Sequence, residues 1–163
     1  MIALNKHRYL FLIIGLSLLV GILCASRLHR TSYKEMLLNK VSFLADDFDT
    51  DFPIGTFVPT TKGEEKILAN RETQGCLVLD AEDVENYQEG FMYVVICAGT
   101  KSTGGHQLLL TSVKEENAMV VITAQDIAPP KDAIVTMAIT YPTIYLRIQT
   151  ELEWLKCDIQ KSE

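Results

Sequence analysis

The sequence predicts a mainly β domain of α+β type, an antiparallel sandwich or half-open barrel with one amphipathic helix, preceded by an N-terminal transmembrane helix. Three observations predict it. Between Phe91 and Ile148, short apolar and β-branched runs alternate with turn chemistry, as in an antiparallel sheet. Tyr9 to Ser26 is a stretch of 18 residues without a charge, rich in Leu and Ile. Between these regions Tyr33, Met36, Leu37, Val41 and Leu44 recur at helical spacing.

Residues 9–26 are long for the apolar region of a cleaved signal, about 7–15 residues. They suffice for a membrane span, which needs about 17–25. Lys6 and Arg8 precede the segment and Arg27 and Arg30 follow it, so flanking charge gives little contrast in orientation. Residues 1–8 are expected in the cytoplasm and the folded mass outside it, as a single-pass cell-membrane protein. Two processing alternatives stay open. Cys24-Ala25-Ser26 fits a small-residue cleavage site, and Cys24 fits a lipidation cysteine except for the bulk of Leu23. All three readings place the domain outside the cytoplasm. The competing topology is a cytoplasmic domain, which unpaired cysteines would suit.

The chain of 163 residues carries a formal charge of −6. Its first 26 residues hold Lys6 and Arg8 and no acid, which leaves −8 on the rest. That balance argues against a nucleic-acid partner, whose phosphates need a basic face. Of the four cysteines, Cys24 lies in the apolar segment. Cys76, Cys97 and Cys157 allow at most one bridge within the domain. Buried free thiols are the expectation and a single bridge is the alternative. No Cys-x-x-Cys and no Cys/His cluster occurs, so no metal or other cofactor is expected.

Residues 27–52 read as an amphipathic helix and an acidic linker. Ser32 and Glu35 form a capping box, and the helix is expected over Tyr33–Ala45. Asp47, Asp49 and Asp51 begin like a calcium loop, but Phe52 stands where Gly is needed and Val58 where Glu is needed. A solvated loop ended by Pro53 is the expectation.

Residues 53–163 form the β domain, with its core over 91–148. Pro59 to Gly63 reads as a loop, Glu64 to Asn70 as one or two helical turns, and Cys76 to Asp80 as a short strand. Ala81 to Gly90 reads as a loop or brief helix. In Phe91–Ala98 both alternating sets are apolar, so the strand should be central and covered on both faces. Gly99 to Gly105 reads as a long hairpin turn before a strand from His106. Lys114 to Asn117 reads as a charged hairpin turn before Met119–Thr123. Ile134–Tyr141 and Thr143–Ile148 should finish the sheet, with Pro142 at a bulge or crossover. Glu151 to Glu163 is a last strand, a helical turn or a tail.

Three motifs carry a resemblance. Val94-Val95-Ile96-Cys97-Ala98-Gly99, Thr103-Gly104-Gly105-His106 and Ile139-Thr140-Tyr141-Pro142, in that order and spacing, resemble the C-terminal domain of the PrcB family. PrcB-like proteins are accessory subunits of bacterial surface protease complexes. The resemblance implies a binding or stabilising role and no active site. The chain departs from the family where Ser102 replaces a usual proline and His106 a usual tyrosine.

The candidate binding residues are Lys101, Ser102, Thr103, Gly104, Gly105 and His106. Three glycines around Lys101 to Thr103 could leave backbone N–H groups open to an extended peptide or an anion; the alternative is a plain turn. The spacing is not that of a phosphate-binding Walker loop. His106 with Ser102 or Ser112 lacks a nucleophile elbow, so no catalytic residue is expected. Tyr141, Tyr145 and Trp154 read as core aromatics or as interface anchors. The expected function is a non-enzymatic, membrane-anchored module that associates with an envelope or surface protein, a protease among the candidates. The alternative is a peptide-binding or protease-inhibitory module acting through Gly99–Gly105, by analogy with inhibitors that present a Thr-Gly-bearing loop to a cleft.

Overall fold

The computed structural model describes residues 43–162. The expected transmembrane segment and residues 33–42 of the expected helix lie outside them. Among the described residues no helix is long and apolar enough to cross a membrane.

Two open four-stranded sheets make the fold. One runs β1 (Leu44–Thr50), β5 (Gln107–Glu116), β6 (Met119–Ile127), β8 (Leu155–Lys161). The other runs β2 (Ile54–Gly55), β7 (Thr143–Gln149), β4 (Phe91–Ala98), β3 (Gln74–Leu79). As expected, β4 is central, between β3 and β7, and Val94, Val95 and Ile96 are fully buried. Its Tyr93, Val95 and Cys97 form a core with Ile67, Leu79 and Val84. On its other face Val94 and Ile96 lie beside Leu146 and Ile144 of β7. All four are buried, as are Leu110, Val113, Val120 and Ile122 of the first sheet. The sheets therefore stack as a sandwich, with the helix over the outer face of the second. Burial of Cys97 pushes its thiol pKa up, which makes it a small hydrophobe.

Helix α1 (Thr61–Asn70) begins two residues before the expected loop ends. Thr60 caps it, accepting from Gly63 N at 3.2 Å. Gly63 sits so close to the Asp83 carbonyl that a Cβ there would lie 2.1 Å from the oxygen. The following 3₁₀ turn (Ala81–Asp83) is tied to the helix by Lys66, whose Nζ lies 3.0 Å from Asp80 and 2.8 Å from Asp83. The bond to Lys66, and then the Asp80 amide, hold the Asp83 carboxyl below the usual carboxylate range. The same contacts, Asp83 first and then Asp80, raise Lys66.

Several expectations are corrected. The sheets are not wholly antiparallel, since β1 runs parallel to β5 and β8 parallel to β6. Leu44 and Ala45 belong to a strand, not to a helix, and Asp46 to Thr50 continues it. Ala45 and Phe48 are buried, and Lys114 pairs with Asp49 and Asp51, so the acidic run is anchored at both its apolar and its charged positions. β5 continues to Glu116, and the turn shrinks to Asn117 and Ala118, with φ of 52° and 59°. Those left-handed values match the right-handed twist of the flanking strands. Gly99 to Gly105 is no hairpin, because β4 and β5 lie in different sheets. Ile134 to Tyr141 forms no strand. Only Thr140 makes a bridge, to Lys101, and Ile134, Met137 and Ile139 are exposed. The C-terminal run is a strand.

A disulfide joins Cys76 of β3 to Cys157 of β8, which was the alternative reading of the cysteines. It ties an edge of one sheet to an edge of the other, and Gln74 Nε2 donates to Ile159 O at 2.9 Å beside it. It closes a loop with a sequence separation of 81 residues.

Reduction, or Cys76→Ser with Cys157→Ser, should lower the unfolding free energy by about 2–4 kcal/mol. Urea unfolding with and without reductant measures it, and unchanged stability contradicts the staple. For Asp83 the folded pKa lies below the unfolded one. Its contribution is therefore present above about pH 3.9 and lost as pH falls through the folded value. Asp83→Asn should flatten the acid limb of stability against pH. An unaltered slope would show that the Lys66 contact contributes nothing.

Candidate functional site

The crossing from β4 to β5 decides where the polar chemistry sits. After Ala98 the chain must leave one sheet and enter the other, and residues 99–106 make that passage. Segment 128–142 makes the return from β6 to β7, and the two run against each other. Lys101 N donates to Thr140 O at 2.9 Å and Thr140 N to Lys101 O at 3.0 Å. Thr140 Oγ1 donates to Thr103 O at 3.1 Å, and Gly104 N to Thr136 O at 2.9 Å. A Cβ on Gly104 would lie 2.3 Å from Thr136 Oγ1, so a larger residue here would turn that hydroxyl aside. Gly105 takes φ +84° against Pro129 and Val135.

This passage turns a cation inward. Lys101 Nζ pairs with Asp126, and the two side chains are 11% and 4% exposed. Asp126 lies on β6, opposite Leu108 in register. Its backbone carbonyl accepts from Ser162 N at 3.0 Å and Ser162 Oγ at 3.1 Å, which fixes the end of β8. His106 Nδ1 lies 3.5 Å from Asp126 Oδ1, and neither buried atom has a hydrogen-bond partner. The pair becomes a charge contact when the imidazole is protonated.

The structure thus splits the candidate residues. Lys101 and His106 converge on Asp126. Thr103 and Gly104 bind segment 128–142 through the backbone. Ser102 and Gly105 stay exposed. Among the described residues no hydrogen bond joins Ser102 or Ser112 to His106, and no group of His, Cys, Asp or Glu side chains has metal-holding geometry. The sequence reading missed Asp126 because it ended that strand at Thr123. Its alternation with the buried Val120, Ile122 and Ala124 was the available signal, since period two puts all four on one face.

The stretch holding both connections is also the one that a family model covers. Residues 92–149 match the family model described as PrcB C-terminal. The match opens at the second residue of β4 and closes at the last of β7. It takes in the crossing, Asp126 and the return segment, and leaves out α1 and both bridged cysteines. The resemblance carried by the three motifs is thus a family match over this stretch. No curated protein and no solved structure matches the chain.

Asp126→Ala should destabilise the protein by about 3–5 kcal/mol, because it strands the buried Lys101 ammonium. Lys101→Met combined with Asp126→Leu should recover most of that loss. Urea midpoints of the variants measure both, and a double variant no better than the single one would refute an electrostatic origin.

Proposed function

We infer that the domain is a non-enzymatic binding module held outside the cytoplasm, which associates with an envelope or surface protein, a protease among the candidate partners. The match to the PrcB C-terminal model carries the reading. It covers the crossing and the return segment, and the family resemblance implies an accessory, protein-binding role. The Cys76–Cys157 bridge supports an oxidising compartment, where such bonds form and persist. It also weakens the cytoplasmic alternative, which rested on unpaired cysteines. The uncharged segment 9–26 would supply the anchor.

The inhibitory reading has less support. A loop offered to a protease cleft needs its side chains and amides free. Here Lys101 is committed to Asp126, and the amides of Lys101 and Gly104 to segment 128–142. Ser102 is the exposed side chain of the loop tip.

Expression of the full chain with a C-terminal alkaline phosphatase should give active phosphatase, which folds only outside the cytoplasm. Cross-linking in intact cells should then recover one specific envelope protein, and Ser102→Arg should reduce that recovery without changing the unfolding midpoint. An inactive fusion overturns the location. Recovery that Ser102→Arg leaves untouched overturns the loop as the contact.

A further inference from the structure

The return segment shows apolar side chains to solvent at one end of the sandwich. Ile134, Met137 and Ile139 have relative exposures of 104%, 88% and 64%. Three such side chains fall within six residues, unlike a scattered surface hydrophobe. Pro129 and Pro130 open the segment and Pro142 closes it, which keeps it out of either sheet.

Its position follows from the strand directions. β5 starts at Gln107, opposite Ile127, the last residue of β6. β7 starts at Thr143, opposite Cys97 near the end of β4. Phe43, Leu108, Pro142 and Thr143 line one cleft, so the described chain enters the sandwich at this same end. Phe43 O accepts from Leu110 N at 2.7 Å there. Trp154 marks the other end, where its carbonyl accepts from Val120 N at the start of β6. Nine residues of β6 separate the ends, about 30 Å of strand.

Sixteen residues, 27–42, join the uncharged segment to Phe43. Fully extended they reach at most about 55 Å. That reach exceeds the length of the sandwich, so it lets either end meet the bilayer; the entry at Phe43 and the exposed strip select the apolar one. We propose that Ile134, Met137 and Ile139 insert into the interfacial layer of the bilayer and seat the domain on the membrane. This rests on the anchor in the preceding reading. The depth is shallow, because the hydrocarbon core rejects backbone groups without partners and this segment forms no ladder. Lys131 precedes the strip with the acid Asp132 beside it, and Arg71 lies 4.2 Å over the Tyr141 ring that follows it. The acidic balance of the domain makes insertion apolar in origin, so phosphatidylcholine suffices and added salt has little effect.

The full chain reconstituted in phosphatidylcholine vesicles tests this. The native chain has one tryptophan, Trp154, at the far end. Met137→Trp with Trp154→Phe moves the fluorophore onto the strip, at an exposed position that leaves the core intact. Vesicles with brominated phosphatidylcholine should quench most of the emission of this variant, with a blue shift, and leave the native chain unquenched. Adding Ile134→Asp and Ile139→Asp should restore the emission. Resistance to carbonate extraction reads the anchor separately. A chain that is retained but unquenched at position 137 overturns the insertion alone and leaves the strip to a protein partner. A chain both extracted and unquenched overturns the insertion and the anchor. Quenching that survives the two aspartates comes from proximity to the tether and overturns the insertion as well.

Discussion

Strand β4 has no polar face. Tyr93, Val95 and Cys97 point one way and Val94, Ile96 and Ala98 the other, and each is 3% exposed or less. A strand of that composition folds only where something apolar covers both sides. The outer cover is Ile67 of α1 with Leu79 and Val84; the inner cover is the other sheet. A hairpin out of β4 would have kept the chain in one sheet. The glycine-bearing passage to β5 instead crosses between sheets, and the return from β6 to β7 has to cross back. The two crossings meet at one end of the sandwich, and that meeting creates the site.

The same end joins rigid and loose structure. The Lys101–Asp126 pair and the Ser162 bonds fix its frame. Burying that ion pair costs desolvation, which its attraction offsets only with good geometry. The pair is therefore better understood as fixing the path of the loop than as adding stability. Against this frame, segment 128–142 is held by a few backbone bonds at Thr136 and Thr140, with its apolar side chains facing out. A segment with few buried contacts and exposed backbone lies at the low-stability end of a fold, where partner-binding elements are usually drawn from.

Much of this was legible in the residues. The double-sided apolarity of Phe91–Ala98 set the centre of the fold, and the three motifs pointed to the family that matches 92–149. The failures have physical causes. Leu44 serves helical spacing from Tyr33 and also opens a strand with buried Ala45 and Phe48, and local pattern cannot choose between those periods. Ile134 to Tyr141 has strand composition, but no sheet edge is offered to it between its flanking prolines. The passage at Gly99–Gly105 has hairpin chemistry, and only the pairing of β5 with β1 and β6 shows that it crosses. Asp126 was hidden because an acid at the end of an apolar run reads as a turn until its partner, Lys101, is brought 25 residues back to it.

Native-state hydrogen exchange tests the central claim most directly, that the doubly covered β4 holds the two sheets as one cooperative body. The amides of Val94 to Cys97 should exchange only through global unfolding, with protection equal to the free energy from urea unfolding. Amides of Val135 to Ile139 should exchange by local opening, far faster. Exchange of Val94 to Cys97 through a partial opening, with the first sheet still protected, would show that the sheets separate before the molecule unfolds and would contradict the account.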